Sequence, residues 1–270
     1  MIKNFSLKVA YMGTAYYGWQ KQPKHHSVQT AIEIILRGLL QNSEISLTCA
    51  GRTDAGVHAL GQVASFSVDC HPVWGTEKLK RVLNHRLPGD ILIRKISEVE
   101  DDFSARFSAQ AKTYIYVINT SEKKNPFENK RYLSRKDPLN ISRIRKAAKL
   151  LIGRYDFTSF GARDDRPDES KIREIYSIDI VEKKDFLFFI VTGNAFLYKM
   201  VRSIAGFFID VGRGHISFEL IPEILAECKR TNKVRTASPH GLYLAKVYYK
   251  PNCWQDRDHL ADALLQNFIS

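Results

Sequence analysis

Cysteine is scarce in this 270-residue chain, and the four present, Cys49, Cys70, Cys228 and Cys253, lie far apart with no C-x-x-C between them. That spacing excludes a disulfide framework and a cysteine-built zinc site, so reduced thiols are expected. The eight histidines are scattered and show no zinc-ligand spacing either. A metal-dependent mechanism is therefore disfavoured. There is no run of about 18 apolar residues, which excludes a transmembrane helix. Residues 1–10 lack the apolar stretch and cleavage signature of a secretory leader, so a cytoplasmic protein is expected. The G-x4-G spacing of Gly51 and Gly56 does not make a P-loop, because Val57-His58 stands where Lys-Ser/Thr is required.

Against these absences stands an excess of positive charge. Lys and Arg number 41 against 29 Asp and Glu, a formal net charge of +12. With 44% hydrophobic residues the chain has the composition of a folded protein, and its length suggests about two domains. A strongly basic folded chain points to a polyanionic partner, and spread charge favours nucleic acid over a membrane surface. The excess is uneven: residues 1–107 hold 13 basic and 10 acidic side chains, net +3, and residues 108–270 hold 28 and 19, net +9.

Periodicity divides the chain into two similar halves. In the first, Phe5–Tyr11 is predicted as a strand and Val28–Gln41 as a helix with Val28, Ile32, Ile35 and Leu39 on one face. Strands follow at Ile45–Cys49 and Gln62–Val68, then a helix over Glu77–Arg86 that stops at Leu87-Pro88-Gly89, then a strand at Ile91–Val99. The second half repeats the order. Thr113–Ile118 is a predicted strand and Ile141–Ile152 an amphipathic helix. Lys171–Glu182 and Phe186–Thr192 form a hairpin around Lys183-Lys184-Asp185. Leu197–Val211 is a helix and Gly241–Tyr249 a strand. Further helices are expected near Phe218–Lys229 and Arg257–Phe268. Twice β-α-β-β-α-β gives an α+β fold of two ferredoxin-like, RRM-like halves, with antiparallel sheets and helices on one face of each. The expected domains are residues 1–107, a basic half at 108–250, and a tail at 251–270.

One segment carries chemistry. In Gly51-Arg52-Thr53-Asp54-Ala55-Gly56-Val57-His58, two glycines bracket an Arg and an Asp between two predicted strands. A polar loop is the plain reading. The sharper one is a reactive carboxylate on a tight turn, with Arg52 beside it favouring the ionised form. Asp101, Asp102, Asp164 and Asp165 read as loop or turn residues. Two basic groups suit phosphate contact. Arg143, Arg145, Lys146 and Lys149 lie on one helix face, and Lys229, Arg230, Lys233 and Arg235 form a second set without local acids.

Cys49–His58 (CAGRTDAGVH) resembles the active-site motif of the TruA family of tRNA pseudouridine synthases. The resemblance extends through Phe5–Gln22, Val28-Gln29, Leu87–Ile91, Asp102–Ala109, Lys112–Tyr116, Asp156–Phe160, Asn194–Arg202 and Gly241–Leu244, in order over about 240 residues. His71–Lys80, Lys123–Arg135 and the tail match poorly. The resemblance implies a pseudouridine synthase fold and conversion of uridine to pseudouridine in the anticodon stem-loop of tRNA, at positions 38, 39 and 40 in tRNA convention. It implies no cofactor and no metal, and a homodimer. It makes Asp54 the catalytic aspartate and Tyr114 the tyrosine packed on the target base. Arg52 becomes the arginine that displaces or holds the flipped nucleotide, and Arg202 the basic residue paired with the aspartate. Arg143, Lys146 and Lys149 are then candidates for contacting the substrate.

The residue types suit that reaction. The isomerisation conserves atoms, so it needs neither an energy source nor a redox group. The target base must leave its stack, and Arg52 has the planar guanidinium to occupy the space. Tyr114 lies on one strand face with Tyr116, as a stacking platform would. Arg202 flanks the apolar stripe of Met200, Val201, Ile204, Ala205 and Phe208, where a half-buried guanidinium calls for a carboxylate. Asp54 has three roles open: attack at C6, attack at C1′, or removal of a ribose proton to give a glycal. Two rivals compete. A tandem RRM-like binding module would not need Asp54. A glycosidase would need a second placed carboxylate, which the sequence does not show.

Overall fold

The computed structural model describes residues 2–69, 75–121, 130–162, 170–255 and 259–269. Cys70, His71, Asp164 and Asp165 lie outside the described residues. The chain forms two compact units, Met1–Gln110 with Tyr243–Pro251, and Ala111–Leu242 with Asn252–Ser270.

The first unit is built on β1 (Ile2–Tyr11), whose alternation buries Phe5, Leu7, Val9 and Tyr11 and turns Lys8 outward. It pairs antiparallel with β3 (His58–Asp69) on one side and β4 (Ile91–Val99) on the other. The short β2 (Thr48–Cys49) pairs with β3 at Ser65 and Ala64. Helix α1 (Val28–Leu40) starts at Ser27, whose hydroxyl accepts the Thr30 amide at 3.2 Å, and ends at Gln41 in a left-handed conformation. Helix α2 (Thr76–Arg86) buries Leu79 and Leu83 and packs along β4. Buried Glu33 of α1 accepts the Leu47 amide at 2.9 Å, tying the helix to the chain that enters β2. The β-α-β-β-α-β order expected of this half is the observed order.

The second unit holds a sheet in the order β5 (Ala111–Asn119), β9 (Phe186–Gly193), β8 (Ile172–Lys183), β7 (Gly153–Asp156). All three pairings are antiparallel, and the two-residue strand β6 (Leu133–Ser134) pairs parallel with β5. Strands β5 and β9 are buried along their whole length, and their centres, Tyr114–Ile118 and Phe186–Val191, are accordingly runs of aromatic and aliphatic residues. Helices α3 (Ile141–Leu150) and α4 (Met200–Gly212) pack on each other, and α5 (Ile221–Ala226) packs on α3 and β7. The hairpin turn at Lys184 lies where expected, with φ 51°. Helix α6 (His259–Ile269) is joined to β8 by an ion pair between Asp262 and Lys183. Among the described residues no helix is long and apolar enough to cross a membrane.

Three details differ from the periodicity. α4 begins at Met200 rather than Leu197, because Lys199 takes a left-handed conformation at φ 60°. The helix expected near Phe218–Lys229 is a 3₁₀ turn at Phe218–Leu220 followed by the short α5. The closing strand of the second half, β10 (Leu242–Tyr248), runs parallel to β3 of the first unit at His58 and Ala59.

Candidate active site

The Gly51–His58 loop joins β2 to β3, and its backbone is anchored at nearly every step. The Gln62 side-chain amide donates to the Gly51 carbonyl at 2.7 Å. The Thr53 hydroxyl hydrogen-bonds the Tyr11 phenol at 2.8 Å, and the Thr53 carbonyl accepts the Trp19 amide at 3.1 Å. Gly56, at φ 78°, donates to the Tyr16 carbonyl at 3.3 Å, and the Val57 amide closes the turn on the Asp54 carbonyl at 3.1 Å. Fully buried His58 accepts the Gly13 amide on Nδ1 at 3.0 Å and stacks on Tyr243 with ring centroids 4.6 Å apart. An Nδ1 that accepts carries no proton.

Thr53 and Val57 are thus buried on either side of Asp54, Asp54 is half-buried, and Arg52 and Ala55 are exposed. A carboxylate with a rigid stem and an accessible head is what a positioned nucleophile or base requires.

The cradle under this loop is the Tyr11–Trp19 segment. Gly13 is pressed on Val57, where a Cβ would meet the carbonyl oxygen at 2.0 Å. Trp19 is wholly buried and lies 5.9 Å from the Tyr11 ring. Tyr16 donates to Asp90 at 2.6 Å, and the Met12 amide donates to the Asp90 carbonyl at 2.9 Å. Burial raises the Tyr11 phenol far above its ordinary range. It does the same for Tyr16, with the Asp90 carboxylate adding to the effect. Sequence reasoning matched this segment to a family block without seeing that it holds the aspartate loop. It missed Tyr11, Gly13, Gln62 and His58 as supports. The traceable signal was two glycines inside an aromatic run.

In the second unit, Tyr114 lies on β5, 7% exposed, with its ring edge-to-face with Phe196 at 5.2 Å. Tyr116, two residues along, donates to the Ser238 carbonyl at 2.9 Å. Arg202 is the one residue of α4 that is not buried. A helix buried all round belongs in a core, so the one half-buried position on it is informative. Its Nε donates to the Ala237 carbonyl at 2.9 Å, and the Ala237 amide returns a bond to the Arg202 carbonyl at 3.0 Å. Burial drives the Tyr116 phenol up, while Arg202 and Arg135 pull it down, so the Arg202 guanidinium acts on the same strand that bears Tyr114.

Arg143, Lys146 and Lys149 stand together on the exposed face of α3. Lys146 lies over the Phe218 ring at 5.7 Å. Lys149 and Arg145 line an open groove of about 410 Å³ beside β8, but Asp179 lines it too, and Arg145 pairs with Glu182 at 3.0 Å. The second basic group is not the free set its local sequence suggested. Arg230 donates to the carbonyls of Phe160, Gly161 and Val234 and to Ser203 and Thr236. Lys233 pairs with Glu223 and Glu227, and Arg235 with Asp210. Asp210 comes from α4, 25 residues away, whereas Glu223 and Glu227 stand only ten and six residues before Lys233. Among the described residues, no group of three His, Cys, Asp or Glu side chains converges as a metal ion would require.

The family model described as tRNA pseudouridine synthase matches residues 8–108 and 147–250. The tRNA pseudouridine synthase A of Chlamydia muridarum is 40% identical over 256 residues, covering 94% of this chain and 95% of the relative. A tRNA pseudouridine synthase A 2 of Bacillus cereus is 40% identical over 250 residues, 92% of this chain and 100% of the relative. The Chlamydia pneumoniae tRNA pseudouridine synthase A is 41% identical over 245 residues, 90% of this chain and 91% of the relative.

Proposed function

The chain belongs to the tRNA pseudouridine synthase family, a family of isomerases, and we propose that it converts uridine to pseudouridine at positions 38, 39 and 40 of the tRNA anticodon stem-loop, with Asp54 as the reacting carboxylate. The observation that carries this is the Asp54 loop itself: its backbone is bonded on both sides of a half-buried aspartate.

The bond between uracil N1 and ribose C1′ breaks, the base turns, and C5 joins C1′; C5 gives up its proton and N1 takes one up, so the product is an isomer of the substrate. Asp54 serves as an ionised group by attack at C6, by attack at C1′, or by taking a ribose proton. Arg52, exposed two residues before Asp54, stacks in the space that the flipped nucleotide leaves. Tyr114 provides the surface against the base, and Arg202 is the basic residue that pairs with the carboxylate. Arg143, Lys146 and Lys149 contact phosphates. The sequence resemblance supports a homodimer with tRNA as partner and no small-molecule cofactor.

The test is pseudouridine mapping in a tRNA transcript incubated with the wild type, Asp54→Ala and Asp54→Asn, beside a tRNA-binding assay. Wild type is expected to modify the anticodon arm, and both variants to bind tRNA without modifying it. Normal turnover by either variant removes Asp54 from its role. A wild type that leaves every anticodon-arm uridine unchanged removes the function.

A further inference from the structure

The outer face of the first unit's sheet gathers cations that the low net charge of that half conceals. Lys8 of β1 is the cross-strand partner of Lys95 of β4, and the next residue, Val9, is the partner of Ile93. The register slips by one residue there, so Arg94 and Lys95 together oppose Lys8. That is a β-bulge, which re-aims a side chain and breaks the local ladder. Its trace is visible in burial: Ile91, Ile93 and Ile96 are buried, while Arg94 and Lys95 are exposed in succession.

Lys246 of β10 completes the group, its ammonium 4.9 Å from the Tyr248 ring. Gly61 of β3 makes room between them. A Cβ there would meet the Ala245 carbonyl at 2.7 Å and the Lys8 Cε at 3.4 Å.

Like charges set opposite each other on a sheet cost stability. The cost registers on Lys8, which is held below its ordinary range by partial burial first and then by Arg94, Lys246 and Lys95. No carboxylate relieves it among the described residues. The acid at hand on these two strands, Glu98, is paired with Lys3 at 3.0 Å. The basic helix face of the second unit differs, since Glu182 and Asp179 accompany it. A sheet that bends its register to place an extra cation on an already repulsive cluster is built to be neutralised from outside.

We propose that Lys8, Arg94, Lys95 and Lys246 form a phosphate-binding site on the first unit that grips the backbone of the RNA substrate. This rests on the reading of the chain as a tRNA-modifying enzyme. The guanidinium of Arg94 takes a phosphate through paired N–H donors, and the three ammonium groups act as point charges beside it. Contacts of this kind set register and orientation without reading sequence. They place a folded RNA on the unit that carries Asp54.

The site makes two opposed demands on one substitution. Lys8→Met removes repulsion, so the free protein should melt at a higher temperature than the wild type. The same change should weaken binding of an unmodified tRNA transcript several-fold. It should also reduce the slope of log affinity against log salt by about one unit, as loss of one phosphate contact does. Lys95→Gln and Lys246→Gln should each do the same to affinity and slope, and KM should rise with them. Arg81→Gln, which removes an exposed cation on α2, serves as the control with slope unchanged. Unchanged affinity and slope in the Lys95→Gln, Lys246→Gln double variant, with a wild type that modifies tRNA, overturns this site alone. A wild type that neither binds nor modifies tRNA overturns the functional reading beneath it.

Discussion

Gly18 lies against Thr53 so closely that a Cβ at position 18 would meet the Thr53 carbonyl oxygen at 2.2 Å. The backbone there has φ +86°, a conformation that glycine adopts without strain. The peptide that bears Asp54 is therefore shaped by a residue 36 positions earlier in the chain. Gly18→Ala should push the Thr53–Asp54 peptide outward and strain the Tyr17–Trp19 backbone. We expect a loss of about 1–3 kcal/mol of stability. Turnover should fall by about 10²-fold at a temperature where the variant is still folded, since a misplacement near 1 Å is enough. Melting and single-turnover pseudouridine formation check the two effects; wild-type turnover would show that the contact does not position Asp54.

His58 closes the other end of the same loop. Replacing it with Ala removes the ring stacked on Tyr243 and leaves the Gly13 amide without its acceptor in a buried place. The unmet donor alone costs about 1–3 kcal/mol, and the cavity adds to it. His58→Asn keeps an acceptor close to the position of Nδ1. It should recover part of the stability and more of the activity than Ala does. Equal melting temperatures for the two variants would show that the Gly13 bond contributes nothing.

Stability should fall on the alkaline side. Burial raises the phenols of Tyr11, Tyr16, Tyr116 and Tyr249 above their ordinary range in the folded chain. A group raised on folding contributes stability that is whole below its unfolded value, about pH 10 for Tyr. That contribution is lost as pH climbs towards the folded values. Lys8, lowered on folding, works in the opposite sense, but it stands against these four phenols and that of Tyr176, which burial also raises. Urea midpoints measured upward from about pH 8 should decline beyond about pH 10. Tyrosinate absorbance should show exposed tyrosines titrating first and the buried ones together with unfolding. Titration of all 12 tyrosines near the ordinary value with structure intact would contradict this.

Alternation and capping residues made most of the elements legible. The stripe of Val28, Ile32, Ile35 and Leu39 marked α1, Leu87-Pro88-Gly89 the stop of α2, and the run from Phe5 to Tyr11 the strand β1. β7 was not legible, because Gly-Arg-Tyr-Asp is four residues with no alternation to detect. The partner of β10 was not legible either, since strand pairing is non-local and β10 has the same composition beside any neighbour. The Asp54 loop was visible as a motif, but its anchors were not. That Gly13 and Gly18 must be glycine depends on where Val57 and Thr53 end up, which no local pattern encodes. The same reason explains Arg230 and Arg235, to which the fold brings the Phe160 carbonyl and Asp210 from 70 and 25 residues away. Lys233 differs, since its partners Glu223 and Glu227 stand only ten and six residues before it.

Arg202 offers a way to separate positioning from stability. Its place on an otherwise buried helix is fixed by the exchange of two hydrogen bonds with Ala237. Arg202→Gln removes the charge and Arg202→Lys keeps it, and both lose the Nε donor. The lost hydrogen bond should cost each about 1 kcal/mol. If the guanidinium only held α4 to the Ala237 segment, the two variants would lose the same activity, and cooling would restore it along with the fold. If its charge serves the carboxylate of the reaction, kcat of the Gln variant should fall well below that of the Lys variant. The gap should persist at a temperature where both are fully folded. Melting curves paired with single-turnover rates at two temperatures decide between these, and full turnover by Arg202→Gln would remove Arg202 from the catalytic set.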